Sequence, residues 1–110
     1  MSLAERCYLL SRGFPKEEMF GLTSQIRRAA VSIPSIVAEG HGRESTQSFV
    51  QYLRMAQGSL KEIETQIVLA VRVGIASQED VAQLLADCES LGKMIRQLIR
   101  SLQTKVRNEK

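Results

Sequence analysis

The residues of this sequence best suited to a chemical role are basic, and they concentrate at one end of the chain. Residues 93–110 hold six basic residues and one acidic residue, whereas residues 1–92 hold nine basic and eleven acidic residues. Basic side chains at helical spacing contact phosphates without reading base sequence, and such binding weakens steeply with salt. A solvated face is the alternative. The candidates for contact with RNA or DNA are Arg27, Arg28, Arg43, Lys93, Arg96, Arg100, Lys105 and Arg107.

Arg27 and Arg28 are adjacent, so their side chains point in different directions around a helix. Both cannot be buried, and we expect one of them to pair inward. A salt bridge between subunits and a phosphate contact both stay open for this pair. The carboxylates of the long helices are expected to pair with arginines, namely Glu39, Glu62 and Glu64 with Arg27, Arg28 or Arg54.

No pattern in the sequence indicates catalysis, a metal or a cofactor. His41 is the sole histidine, and nothing nearby supplies the nucleophile or oriented substrate that a general base needs. The Glu-x-x-His motif of di-metal bundles is absent. The turn Gly40-His41-Gly42 lacks the strand and the Gly-Lys-Ser/Thr of a phosphate loop. We therefore predict a protein that is not an enzyme.

The composition favours one helical domain spanning residues 1–110. The chain has 44% apolar residues, 5% aromatic residues, two prolines and no tryptophan, which is typical of helices. Cys7 and Cys88 are far apart and belong to no CxxC, so we expect two small buried hydrophobes in a reducing compartment rather than a zinc site. No signal-peptide pattern is present, and no apolar run approaches the roughly 20 residues of a membrane span. These observations predict a cytoplasmic protein.

Apolar residues recur every three or four positions, which predicts four helices. Their expected ranges are 2–12, 19–41, 46–73 and 78–104. Together they predict an all-α, antiparallel up-down four-helix bundle with a short first helix and a second helix kinked at Pro34. The predicted core positions of the long helices are Leu22, Ile26, Ala29, Ile33, Ile36 and Gly40, then Phe49, Leu53, Ala56, Leu60, Ile63, Ile67 and Ala70, then Val81, Leu84, Cys88, Leu91, Ile95, Leu98 and Leu102.

Several single residues carry sharper expectations. Phe14 and Phe20 flank the first connection and are expected to anchor it to the core. Gly13 is expected to end the first helix in a left-handed conformation. Gly58, in the middle of the third helix, costs about 1 kcal/mol relative to alanine, which predicts the close approach of another helix.

The chain has more apolar residues than these core positions use. Val31, Met55, Val68 and Met94 are examples. Contiguous apolar surface on a small protein usually marks a partner, and self-association is the simplest choice. A monomer with scattered apolar surface residues is the alternative.

The sequence of residues 14–74 resembles that of a known family. The segments FPKEE, GLTSQIRRAAVSIPS, AEGHGRES and GSLKEIETQI are similar to those of the 23S rRNA intervening-sequence proteins, a family also called S23 ribosomal proteins. The resemblance implies a four-helix bundle that assembles as a homopentamer. Some members are encoded inside intervening sequences of 23S rRNA genes. A related protein, the accessory variability determinant of diversity-generating retroelements, is a basic pentameric barrel that binds nucleic acid and a reverse transcriptase.

The chain departs from the family pattern in two places. Ile36 stands where the family commonly has asparagine, and the first helix is shorter than usual and lacks an upstream aromatic segment. The sequence and the resemblance together predict a non-enzymatic, homo-oligomeric bundle, a pentamer, with RNA or DNA as a partner through basic faces and no cofactor. A reverse transcriptase or another protein is a further expected partner. The alternative is a protein-interaction scaffold that binds no nucleic acid.

Overall fold

The computed structural model describes residues 2–109 and, of Glu109, the backbone alone. It contains four α-helices, α1 (Leu3–Arg12), α2 (Leu22–His41), α3 (Thr46–Arg72) and α4 (Gln78–Glu109), and a 3₁₀ turn at Lys16–Glu18. No strand occurs within this range. The all-α prediction is confirmed, whereas Met1 and Lys110, the ends of the predicted domain, lie outside the described residues.

The helix ends follow local hydrogen bonding. At the start of α1, the Ser2 hydroxyl accepts from the Glu5 amide at 3.2 Å, and the Ser2 amide donates to the Glu5 carboxylate at 3.0 Å. Ser77 and Asp80 make the same reciprocal pair before α4. These side chains satisfy amides that the first helical turn leaves without partners.

The end of α3 depends on Gly74, which has a φ of +81°. The Gly74 amide donates to the Val71 carbonyl, and the Ile75 amide donates to the Ala70 carbonyl. This pattern is the Schellman motif, and it needs a left-handed residue at the position of Gly74. The corresponding prediction for Gly13 is wrong, because its φ is −81°.

The four helices share one hydrophobic core. α2 packs against α1 and α3, and α4 packs against α3 and α1, so α2 and α4 are diagonal neighbours without direct backbone contact. An ion pair of 2.7 Å between Arg6 and Asp87 joins α1 to the first half of α4. The resulting bundle measures 53 × 23 × 22 Å.

Most of the predicted core positions are buried and four are half-buried, whereas Leu98 is exposed. Leu98 is 39% exposed, whereas its neighbour Ile99 is 5% exposed. The short α1 contacts α4 around Asp87, so the second half of α4 has α3 as its main neighbour. The buried face of α4 therefore turns toward α3, which places Ile99 in the core and leaves Leu98 outside.

The predictions for the two phenylalanines of the first connection have different outcomes. Phe14 is buried, but Phe20 is 95% exposed, so the prediction that Phe20 anchors the connection is wrong. The reason lies in the start of α2, which begins at Leu22 and not at Met19 as predicted. Phe20 therefore precedes the helix and does not share its apolar face.

Helix α2 continues through Pro34 to His41, so the proline does not end it. Ser32 donates to the carbonyl of Ala29 at 2.8 Å, and its oxygen lies 2.8 Å from the Oγ of Ser59 in α3. This contact ties α2 to α3 beside the proline. The bend at Pro34 stays a prediction.

Close helix approach occurs at Gly40 and not at Gly58. A Cβ atom on Gly40 would lie 2.5 Å from the Cβ of Tyr52, so α2 and α3 meet there with no room for a side chain. Within the single chain the prediction for Gly58 is wrong, because nothing lies within 4 Å of the place of its Cβ atom.

Candidate nucleic-acid interface

The basic stripe of α4 lies on the surface. Helix α4 continues past its predicted end at Thr104 to Glu109, so the five candidate residues between Lys93 and Arg107 share one helix. Thr104 supports this last part by donating to the carbonyl of Arg100 at 3.0 Å. The exposed residues of the stripe are Lys93, Arg96, Arg100, Lys105 and Arg107.

The stripe begins beside acidic residues and then loses them. Lys93 forms an exposed ion pair of 3.6 Å with Glu89. From Ser90 to Asn108 the helix has no acidic residue. Arg96 folds back over Gly92, since a Cβ there would lie 3.3 Å from the guanidinium nitrogen Nη1. Beyond Lys93, the residues of α4 as far as Asn108 are therefore basic or uncharged.

The facing half of α3 has the same character. Residues 46–60 contain one charged residue, Arg54, and no acidic residue. Arg54 and Arg107 line one cleft between α3 and α4, together with Gln51 and Gln103. Sequence reasoning missed Arg54 as a binding residue. The signal that points to it is the long acid-free run around it, read together with the acid-free run of α4.

The side chains of Arg27 and Arg28 lie in different surroundings, as expected for adjacent residues of a helix. The Nε of Arg27 donates to the Oγ of Ser11 at 2.8 Å, and its guanidinium lies 4.9 Å from the centre of the Tyr8 ring. Arg28 is exposed. Both residues lie on α2, diagonally across the bundle from the stripe of α4, so the structure does not bring them together with it.

Arg43 lies in the connection between α2 and α3, within a small polar cluster. Its Nη2 donates to the hydroxyl of Tyr52 at 2.6 Å and lies 3.2 Å from the carboxylate of Glu39. The guanidinium also lies 5.1 Å from the centre of the Tyr52 ring. Arg43 therefore has three internal contacts, although it is exposed.

Two of the three carboxylates that were predicted to pair with arginines of the long helices form ion pairs with other residues. Glu39 pairs with Arg43, and Glu64 pairs with Lys61 at 3.6 Å, each within one helical turn or its continuation. Local spacing brings these partners together more directly than the arginines Arg27, Arg28 and Arg54. Exposed pairs of this kind contribute about 0–1 kcal/mol.

The remaining groups that could take part in chemistry are His41 and the side chains able to bind a metal. His41 lies edge-on to Phe49 at 5.7 Å between ring centres. Among residues 2–108, whose side chains are described, no group of three possible metal-ligating side chains occurs. Within the same part of the chain, no helix combines the length and the apolar character needed to cross a bilayer.

The two cysteines are buried at 0% exposure, which confirms their prediction as small core residues. Burial raises the pKa of Cys7 to about 11. Burial, followed by the proximity of Cys7, Glu64 and Asp87, raises the pKa of Cys88 to about 12. Both groups are thus neutral thiols at neutral pH and poor nucleophiles.

The described residues of α3 and α4 together present basic side chains on the surface. Residues 46–60 of α3 and 90–108 of α4 contain no acidic residue, and parts of both segments line one cleft. A family model described as 23S rRNA-intervening sequence protein matches residues 1–97. No curated protein matches the chain.

Proposed function

The chain belongs to the family of 23S rRNA-intervening sequence proteins, and from this premise we propose that it is a non-enzymatic, homo-oligomeric helical-bundle protein that binds RNA or DNA. The observation that carries the proposal is the acid-free surface of α3 and α4, with Arg54 on one helix and Arg96, Arg100, Lys105 and Arg107 on the other. Phosphate contacts from such a surface give affinity without base readout.

Exposed apolar side chains support the self-association in this proposal. Met94, at 64% exposure, and Leu98 border an apolar groove of about 520 Å³ between α2 and α4. Val68, Leu69 and Val73 are also exposed, near the end of α3. Two different apolar surfaces on one chain suit a head-to-tail contact, and such contacts close into rings. A pentamer is the ring that the family resemblance implies.

We propose further that the helices run antiparallel and that α2 bends at Pro34. Three contacts between α2 and α3 support the direction. Gly40 adjoins Tyr52, Ser32 adjoins Ser59, and Leu22 shares a pocket with Leu69. From one pair to the next, the residue number in α2 falls while the residue number in α3 rises, so the two helices run in opposite directions. The bend follows from the missing amide and the bulk of the proline ring.

Fluorescence anisotropy with labelled RNA and DNA tests nucleic-acid binding. We expect affinity to fall steeply between about 50 and 200 mM salt. The double variant Arg96→Glu/Arg100→Glu should bind much more weakly than the wild type. The matched variant Arg12→Glu/Arg72→Glu changes the same charge at positions outside the basic surface. Equal losses in the two variants would show that total charge, and not this surface, governs binding.

The second candidate is a scaffold that binds a protein and no nucleic acid. The exposure of Phe20 favours it, because a protruding aromatic side chain is a common anchor in protein interfaces. Absence of RNA and DNA binding at low salt, with Phe20-dependent capture of a partner protein, would support the scaffold against the nucleic-acid proposal.

A further inference from the structure

The cleft between the first half of α3 and the second half of α4 combines charge, amide groups and apolar surface. Helix α3 supplies Gln47, Gln51 and Arg54, spaced by four and three residues, and α4 supplies Gln103 and Arg107, spaced by four. These spacings place each set on one side of its helix. The volume is about 600 Å³, within the roughly 300–1,000 Å³ of small-molecule sites.

The floor of the cleft is aliphatic. Val50 is buried, and Val106 is half-buried beside it. Apolar side chains next to amide and guanidinium groups suit a ring with a hydrogen-bonding edge. An inorganic anion would leave the two valines without a contact, and an apolar helix would leave the two guanidinium groups without one.

The two arginines of the cleft are available for an anion. Among the carboxylates that the structure describes, none lies within 4 Å of the guanidinium groups of Arg54 and Arg107. By contrast, Arg43 and Lys93 each have a glutamate partner. A phosphodiester is an anion that suits guanidinium groups next to a ring site, because a guanidinium can donate two parallel hydrogen bonds to phosphate oxygens.

From these observations we propose that the α3/α4 cleft holds one unpaired nucleotide of a nucleic-acid strand, an inference that rests on the proposed nucleic-acid function. Arg54 and Arg107 bind its phosphates. The base lies on Val50 and Val106, and the amides of Gln51 and Gln103 meet its edge, as glutamine does with adenine.

The consequence is a preference for single strands. A base within a duplex is stacked and paired, so it cannot enter the cleft without an unpairing cost of a few kcal/mol. Unpaired bases are free to lie on aliphatic or guanidinium surfaces. Single-stranded RNA and single-stranded DNA share this chemistry, so the test must compare them with each other and with duplexes.

The experiment measures anisotropy with labelled single-stranded RNA, single-stranded DNA and duplexes of the same sequences, using the full chain. Arg54→Gln/Arg107→Gln removes both guanidinium groups. Arg54→Lys/Arg107→Lys keeps the charge but removes the planar, bidentate group. Arg12→Gln/Arg72→Gln is the control for lost charge, and circular dichroism verifies that every variant is helical.

We expect the glutamine pair to weaken single-strand binding by about tenfold or more, and to flatten its salt dependence by a slope of about 1.4. The lysine pair should weaken single-strand binding while duplex binding stays unchanged. A greater loss for RNA than for DNA would identify RNA as the source of the nucleotide, and the reverse would identify DNA.

Three results would overturn the inference. They are equal losses in the glutamine pair and the control pair, wild-type affinity that is equal for single strands and duplexes, and a lysine pair that binds single strands like the wild type. In each of these cases the wild type still binds nucleic acid, so the proposed function survives. A wild type that binds no nucleic acid removes both.

Discussion

The Nε of Arg27 lies 2.8 Å from the Oγ of Ser11, and this hydrogen bond joins α2 to α1. Ser11 is 2% exposed, and its hydroxyl also donates to the carbonyl of Tyr8 at 3.1 Å. Tyr8 in turn lies below the Arg27 guanidinium. Arg27 therefore links α2 to the short α1, whereas Arg28 is exposed to solvent.

We expect Arg27→Ala to lower the free energy of unfolding by about 1–3 kcal/mol, because it removes a charged donor from a nearly buried hydroxyl and the cation over the Tyr8 ring. Arg28→Ala should change the free energy of unfolding by less than about 0.5 kcal/mol. Denaturant unfolding at one fixed protein concentration measures both values. Equal stability of the two variants would contradict a structural role for Arg27.

Gly40 and Gly58 should respond in opposite directions to the same change. Gly40→Ala puts a methyl group 2.5 Å from the Cβ of Tyr52, so we expect a loss of about 1–3 kcal/mol as α2 and α3 move apart. Gly58→Ala meets no atom within 4 Å and improves helix propensity, so we expect a gain of about 1 kcal/mol.

Thermal unfolding of the two glycine variants, at matched concentration, gives the comparison. A stabilised Gly40→Ala variant would contradict the close approach. A destabilised Gly58→Ala variant would indicate that Gly58 packs against another subunit, since the single chain leaves it open.

Met94 should matter to assembly and hardly at all to the fold of one chain. We expect light scattering of the wild type to give a mass well above the 12.3 kDa of one chain. Met94→Glu introduces a charge into the apolar groove, so the mass should fall toward that of a monomer. Thr104→Glu places the same charge on an exposed polar position of α4 and should leave the mass unchanged. A monomeric wild type at micromolar concentration would exclude self-association through this groove.

The two buried thiols predict a loss of stability at high pH. Their ordinary pKa is 9.0, and the fold raises it to about 11 for Cys7 and about 12 for Cys88. In the unfolded chain the thiols ionise above about pH 9, while in the fold they stay protonated. Their contribution is therefore complete below pH 9 and is lost as the pH rises toward the folded values.

Each thiol should lower the free energy of unfolding by about 1.4 kcal/mol per pH unit above pH 9. Urea unfolding between about pH 8 and 10 measures this slope. The Cys7→Ala/Cys88→Ala variant is the control for the ionisation of lysine and tyrosine, because it keeps those residues and lacks both thiols. We expect it to be less stable and its free energy of unfolding to depend less on pH. Parallel slopes in the two proteins would mean that the thiols are not protected by the core.

The helices and their buried faces could be predicted because spacing along the chain determines which side of a helix is apolar. Leu98 and Phe20 could not be placed in this way. The choice between Leu98 and Ile99 depends on how far α1 reaches along α4, and Phe20 depends on where α2 begins. Both are facts about neighbouring elements rather than about local pattern.

The candidate site was only partly predictable for the same reason. The stripe of α4 is visible in one helix, so its five basic residues could be named from the sequence. The cleft needs Arg54 and Arg107, which are distant along the chain and meet only when α3 lies beside α4. Pairing of helices, and not composition, creates that site.

Charge is unevenly distributed along the 53 Å axis of the bundle, because residues 46–60 of α3 and 90–108 of α4 include basic residues and no acidic residue. The acidic residues Glu17, Glu18, Glu79 and Asp80 lie toward the opposite end, around the 3₁₀ turn and the start of α4. In the field of a polyanion such a molecule experiences a torque that turns its positive pole forward. We therefore expect orientation to be selected before contact, so that salt slows the association rate more than it speeds dissociation.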